Sequence, residues 1–336
     1  MNDPTFDSLF ARAAERRAAG PRCRFAPSPT GPLHLGNARS LLLAWLHARL
    51  LGADLVMRME DLDRPRVKAG SAAQILDDLR WLGLDWDEGP DIGGPLGDYT
   101  QSRRDALYQT ALDRLIARDL VFPCFCSRKD IERAASAPHG HTLTYPGTCR
   151  RLDEAGRFAA QARHPDRRPG FRLVVPDRVV TVEDAVLGVQ RQDLRREVGD
   201  FVVRRSDGLF AYQLAVTVDD ALMGITHILR GEDLFPSTPR QIYLWDLLGY
   251  SCPEFWHVPL MLDPAGKKMS KRDGSASIAE FRNDGGRPEV LVGQLAASLG
   301  LAESGQALSA RELLGSHDLS SLNRCLATAA GRVSPA

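Results

Sequence analysis

The apolar positions of this chain fall into two alternating rhythms. Residues 22–27 form a short apolar-edged segment that stops at a Pro/Gly-rich turn. Residues 41–51 are apolar on several faces, the pattern of a largely buried helix, and Asn37 suits its N-cap. Residues 54–60 run into an apolar strand that ends on acids, and residues 71–84 and 102–120 carry helix-period apolar positions. Strand, glycine-containing turn, helix, strand and helix predict a parallel α/β opening. From residue 121 to about 200 the texture changes to clustered Cys, a Pro/Gly/His-rich stretch at 138–147, and short β-like runs at 171–175, 179–183 and 188–192. This segment reads as an insertion. The α/β pattern then returns. Residues 201–205 and 209–218 predict a hairpin about Ser206-Asp207-Gly208, and 225–229 predict a strand ending at Arg230-Gly231-Glu232-Asp233. Thr238 as N-cap and Pro239 in the first turn open a helix that closes near Gly249.

Composition narrows the class. At 336 residues, 43% hydrophobic and 26% charged, the chain has an ordinary soluble composition and room for two or more modules. No apolar run approaches the roughly 20 residues that span a bilayer, so no membrane partner is expected. Residues 1–20 mix Arg12, Arg16 and Arg17 with Asp3, Asp7 and Glu15 and lack a continuous apolar stretch. They predict a short helical extension rather than a secretory signal, and a cytoplasmic protein. Zero net charge gives no global argument for a nucleic-acid partner, although residues 163–168 and 191–196 are locally basic. Of six cysteines, Cys124, Cys126 and Cys149 are clustered. Without a secretory signal such a cluster reads as metal-binding before it reads as disulfides. A structural zinc takes four ligands, and the residues between the cysteines offer His139 or His141 as the fourth.

Two segments carry the chemistry. In Pro27-Ser28-Pro29-Thr30-Gly31-Pro32-Leu33-His34-Leu35-Gly36-Asn37, prolines stiffen a loop that leads into a helix N-terminus. There the backbone N–H groups and the helix dipole favour phosphate, Gly36 permits close approach, and His34 stands one turn ahead as a donor. The second segment is Lys268-Met269-Ser270-Lys271-Arg272. Only five lysines occur in the chain, and Lys267, Lys268 and Lys271 share this loop between Gly266 and Gly274. A mobile ammonium suits triphosphate charge that shifts during reaction.

His34-Leu35-Gly36-Asn37 together with Lys268-Met269-Ser270-Lys271-Arg272 resembles the paired motifs of class I aminoacyl-tRNA synthetases. Arg24-Phe25-Ala26-Pro27-Ser28-Pro29-Thr30-Gly31 and Arg58-Met59-Glu60-Asp61-Leu62-Asp63 are similar to the glutamyl branch. The resemblance implies an α/β, Rossmann-type catalytic domain over residues 21–120 and 200–262. It implies a zinc-containing, acceptor-type insertion at 121–199, and a Lys loop and small helical stem-contact region at 263–336. It implies ATP binding by Pro27, His34, Gly36, Asn37, Lys268, Met269, Ser270, Lys271 and Arg272, with Mg²⁺ accompanying the nucleotide and His34 and Lys271 as the catalytic pair. It implies glutamate binding by Arg24, Phe25, Ala26, Pro27, Ser28, Glu60, Tyr212 and Arg230. That set matches the ligand, because two carboxylates and one ammonium need two cationic anchors and one anionic anchor.

Tyr145-Pro146-Gly147-Thr148-Cys149-Arg150 resembles the zinc module of the shortened glutamyl-Q tRNA(Asp) synthetases, which implies Cys124, Cys126, Tyr145 and Cys149 as ligands. The stretch from Arg272 to Ala336 is too short for a further anticodon-binding domain and is not notably basic. The shortened branch implies a monomer that activates L-glutamate with ATP and attaches it to queuosine in the anticodon of tRNA(Asp). Two alternatives stand beside it: a truncated glutamyl-tRNA synthetase charging the tRNA 3′ end, and a non-enzymatic tRNA-binding relative.

Overall fold

A computed structural model of the chain describes residues 5–127, 130–131, 144–163, 165–261 and 277–331. Helix α1 (Phe6–Ala19) leads into strand β1 (Arg22–Phe25), which pairs in parallel with β2 (Asp54–Met57) across the crossover helix α2 (Leu35–Leu50). After α3 (Ser71–Trp81) and α4 (Asp105–Ile116), β3 (Val121–Cys124) begins a different sheet. There follow α5 (Glu154–Ala162), β4 (Gly170–Leu173), β5 (Val179–Asp184), β6 (Gly188–Asp193) and β7 (Phe201–Arg204). Next come α6 (Tyr212–Leu222), β8 (His227–Gly231), α7 (Thr238–Leu248) and β9 (Glu254–Val258). Beyond the undescribed 262–276, α8 (Ile278–Asn283), α9 (Pro288–Ala297), α10 (Ala310–Gly315) and α11 (Leu319–Ala329) complete the described chain.

β8 and β9 are parallel, and β1 lies beside β8, where the Thr226 N–H donates to the Arg22 carbonyl at 2.9 Å. Alternation along β2 shows how the sheet is covered. Leu55 and Met57 join a core with Leu42, Leu43 and Leu46 of α2 and with Leu291, Leu295, Leu313 and Leu322 of the C-terminal helices. Val56 faces the opposite core, built from α1, α4, α6 and α7. Both faces of a parallel sheet are thereby buried, which is why its strands read as short apolar runs. β1 follows the same rule. Cys23 and Phe25 enter the first core, and Arg22 and Arg24 alternate with them, buried and ion-paired to Glu88 and Asp220 respectively. The N-terminal extension is part of this architecture, since α1 buries Phe6, Leu9 and Ala13 in the second core.

Three expectations are corrected. The hairpin about Ser206-Asp207-Gly208 forms, but its return arm is short: the Arg205 N–H donates to the Leu209 carbonyl and the Ala211 N–H to the Val203 carbonyl around the bridge Arg204↔Phe210, and Tyr212–Leu222 is helix. Its Leu214, Val218 and Leu222 sit four apart on one buried face, a helical period within an otherwise strand-like run. Asn37 is not the N-cap of α2. The helix starts at Leu35, and His34, three residues before Asn37, caps it, Nδ1 accepting from the Asn37 N–H at 3.3 Å. Thr238 does not cap α7 but opens it, with Ser237 at the cap position, and turns its hydroxyl inward. The strands of 121–199 pair with strands that lie beyond the segment. β3, β4 and β7 make one antiparallel sheet, but the β5–β6 hairpin joins β9 in parallel where Asp184 faces Phe255.

Candidate functional site

The carboxyl ends of β1, β2 and β8 converge on a cavity of about 300 Å³, the place where parallel sheets present ligands. Arg24 comes from β1, Glu60 from just past β2, Arg230 from β8, and His34, Gly36 and Asn37 from the start of α2; all line it, with Ala26, Pro27, Ser28 and Tyr212. Among the glutamate-binding expectations, Phe25 alone departs: its side chain is fully buried in the core beneath β1. The residues before α2 are held in place by Ser71, whose Oγ accepts from the Gly31 N–H at 3.0 Å and donates to the Gly31 carbonyl at 2.9 Å. A Cβ on Gly36 would stand 3.3 Å from His34 Nδ1, so the absence of a side chain there lets the imidazole lie over the first turn. With Nδ1 accepting from Asn37, the neutral ring carries its proton on Nε2.

Each charged anchor is held from behind. Arg58, fully buried, donates to Glu60 Oε1 from Nε at 3.3 Å and from Nη2 at 2.9 Å, and from Nη1 to Asp220 Oδ1 at 2.7 Å. Asp220 also stands 3.5 Å from Arg24 Nε, and Arg24 Nη1 donates to the Leu229 carbonyl. Burial pushes the Glu60 carboxyl above its ordinary pKa, against the pull of Arg58 and Arg24. Burial likewise raises the Tyr212 phenol. Arg230 differs from its neighbours. Arg22, Arg24, Arg58 and Arg104 each hold a carboxylate within 4.0 Å. Arg230, 5% exposed, holds none among the described residues, and its Nη1 is buried with no hydrogen-bond partner. A buried cation with no carboxylate in contact is costly, and this residue lines a cavity, which is the condition for binding an anion.

Lys268, Met269, Ser270, Lys271 and Arg272 lie outside the described residues. The residues flanking that stretch are at the site. Met261 lines the cavity, Ser277 forms a bridge with His34, and the Ile278 N–H donates to the Leu33 carbonyl at 3.0 Å. The sequence did not single out Ser40, Leu41, Ala44, Asp233, Leu234, Leu260 or Met261, which also line the cavity. Helical spacing from Asn37 would have found the first three, and the acidic turn after β8 would have found Asp233.

A second cavity of about 1270 Å³ adjoins the first through Ser28, Glu60 and Tyr212 and extends to Cys124 and Cys126. Arg66, Arg167, Arg172, Arg204 and Arg205 line it. At its far end the sulfurs of Cys124, Cys126 and Cys149 lie within 4.8 Å of one another. Tyr145 Oη is 3.5 Å from Cys124 Sγ and 3.8 Å from Cys126 Sγ, and accepts from the Cys149 N–H at 2.8 Å. Zn–S bonds of about 2.3 Å set tetrahedral sulfurs roughly 3.8 Å apart, so three thiols and a phenol oxygen on this scale fit a zinc ion. The thiols also have the donors a thiolate needs: the Phe125 N–H to Cys149 at 3.4 Å and Arg172 Nε to Cys124 at 3.3 Å. His139 and His141 lie outside the described residues.

Comparison with known proteins agrees with this geometry. The family described as tRNA synthetases class I (E and Q), catalytic domain, matches residues 22–325. A glutamyl-Q tRNA(Asp) synthetase from Symbiobacterium thermophilum is 50% identical over 90% of this chain and 93% of its own length. One from Nitratidesulfovibrio vulgaris is 49% identical over 83% and 86%. The solved glutamate-tRNA synthetase from Elizabethkingia anophelis superposes with a TM-score of 0.77 at 30% identity; 90% of this chain is covered, and the chain spans 66% of that structure's length. With its parallel sheet, His34-capped helix and doubly cationic cavity, the chain belongs to the class I tRNA synthetases of the E and Q type, in the glutamyl-Q tRNA(Asp) synthetase branch.

Proposed function

We propose that this protein uses ATP to convert L-glutamate into glutamyl-adenylate and transfers the glutamyl group to queuosine in the anticodon of tRNA(Asp). The observation that carries the first half is the charge pattern of the 300 Å³ cavity: two buried guanidiniums and one carboxylate whose side chain is 8% exposed around one volume, beside a helix N-terminus. Glutamate's two carboxylates complement Arg24 and Arg230, and its ammonium complements Glu60. Ala26, Pro27, Ser28 and Tyr212 shape the space between them. The α-carboxylate attacks the α-phosphate of ATP, forming the mixed anhydride and releasing pyrophosphate. His34 Nε2–H, Gly36, Asn37 and the first turn of α2 stabilise charge on the phosphates, joined by Lys268, Met269, Ser270, Lys271 and Arg272, with Lys271 as the second catalytic group. Mg²⁺ bound to ATP supplies further charge neutralisation. A queuosine hydroxyl then attacks the anhydride carbonyl, forming the ester and releasing AMP. No enzyme nucleophile is required, so positioning and electrostatics supply the rate.

The branch to which the chain belongs supports the acceptor half, and the arginine-lined second cavity offers the acceptor nucleoside a path to the adenylate. Cys124, Cys126, Tyr145 and Cys149 would hold one structural zinc that braces this end of residues 121–199. Residues 21–120 and 200–262 carry the chemistry, residues 263–336 carry the Lys loop and contact the tRNA stem, and the protein works as a cytoplasmic monomer. The direct test is ATP–pyrophosphate exchange without tRNA. Exchange should depend on glutamate and not on glutamine or aspartate. Exchange that ignores the amino acid, or none at all, would contradict the reading.

A further inference from the structure

His257, in β9, is fully buried, and the adenylation chemistry makes no direct use of it. Its contacts nevertheless decide how Arg230 sits. Nδ1 is 2.5 Å from Asp184 Oδ2, and Nε2 accepts from Arg230 Nε at 3.0 Å. Asp184 is itself fixed: Oδ1 accepts from the Val186 and Leu187 N–H groups at 3.0 and 2.8 Å, and the His257 N–H donates to the same carboxylate. An ionised carboxylate only accepts, so the imidazole proton must reside on Nδ1, leaving Nε2 as a lone pair. Only that tautomer can receive the Arg230 Nε–H. Arg230 Nη2 is tied to Thr238 Oγ1 and Gln241 Oε1, both at 2.8 Å. Two of the three guanidinium nitrogens are therefore spent on the protein, and Nη1 is the one that is left without a protein partner.

We propose that Asp184 and His257 are positioning residues for Arg230. By holding the imidazole proton on Nδ1, they present an acceptor to Arg230 Nε and aim Nη1 at a substrate carboxylate. The claim rests on the reading of Arg230 as a glutamate anchor. It gives a purpose to the one register position at which the β5–β6 hairpin joins β9, since Asp184 sits at that position.

Asp184→Asn tests it with almost no change of shape. The amide would donate to Nδ1, shift the ring proton to Nε2, and set one N–H against another. In glutamate-dependent ATP–pyrophosphate exchange the KM for glutamate should rise roughly 10- to 100-fold, with the KM for ATP within about twofold and the melting temperature within a few degrees. A second pair of variants separates aim from packing. His257→Gln, which can still offer an oxygen to Arg230, should keep more glutamate affinity than His257→Asn, which cannot reach it. In an Arg230→Ala background Asp184→Asn should add little. ¹⁵N NMR of the wild-type imidazole should show Nδ1–H. Finding Nε2–H there, or a folded Asp184→Asn protein with unchanged KM for glutamate, or equal losses for ATP and glutamate, overturns the proposal. If Arg230→Ala itself leaves glutamate affinity intact, the anchor reading has failed instead.

Discussion

In the proposed reading, recognition turns on Arg230 and Glu60. Removing a buried cation that meets a substrate carboxylate costs roughly 2–5 kcal/mol, so Arg230→Ala should lower kcat/KM for glutamate by about 100-fold or more. Arg230→Lys should rescue little, because a lysine offers no fork to satisfy His257, Thr238 and Gln241 together with a ligand. Glu60 gives the site a pH signature. Burial raises its pKa above the ordinary carboxylate value, and only its ionised form attracts the substrate ammonium. As pH falls, Glu60 takes up its proton earlier than an ordinary glutamate would, and affinity for glutamate is lost with it. The acid limb of kcat/KM for glutamate should therefore lie above the usual carboxylate range, and Glu60→Gln should be weak at every pH, with that limb flattened. A limb unaltered in Glu60→Gln would remove Glu60 from this role. The arginines were legible in the sequence because they end strands next to recognisable segments. Asp184, His257 and Asp220 were not, because their meaning lies in contacts across the fold and no local pattern announces them.

At the scale of elements, the parallel unit β1–α2–β2 and the C-terminal closure of α7 at Gly249 followed from periodicity and turn chemistry. The failure at residues 212–218 is instructive. Phe210, Leu214, Ala215, Val216 and Val218 have strand-forming neighbours, but four-residue spacing and the buried acids Asp219 and Asp220 suit a helix packed on the sheet. Burial on most sides erased the polar face that would have betrayed it. The cysteine-bearing element carries its own prediction. Arg172 donates to Cys124, stacks 4.0 Å over the Tyr145 ring and lines the second cavity, so the state of the cluster reaches the groove through one side chain. Stripping zinc with a chelator should lower the melting temperature and weaken tRNA glutamylation, while tRNA-independent pyrophosphate exchange persists. Metal analysis of Tyr145→Phe and His141→Ala separates the ligand sets: the first should lose tightly bound zinc and the second should keep it. The reverse pattern would assign the fourth position to the histidine.

Across the molecule, one architecture serves two tasks. The doubly covered parallel sheet fixes three strand ends around a small charged cavity, and the cavity opens into a larger, arginine-lined space that ends at the cysteine cluster. Zero net charge concealed this arrangement. Of the two segments that looked basic in the sequence, 163–168 sends Arg167 into the groove, whereas Arg195 and Arg196 in the other are paired with Asp200 and Asp193. The central claim is that activated glutamate goes to the modified base of the anticodon. The most direct measurement offers labelled glutamate and ATP to tRNA(Asp) with and without queuosine, each with its 3′-terminal nucleotide removed. The account predicts stable label on the queuosine-bearing tRNA, undiminished by the truncation, and none on its queuosine-free counterpart. Equal labelling of the two, or loss of labelling on truncation, would contradict it.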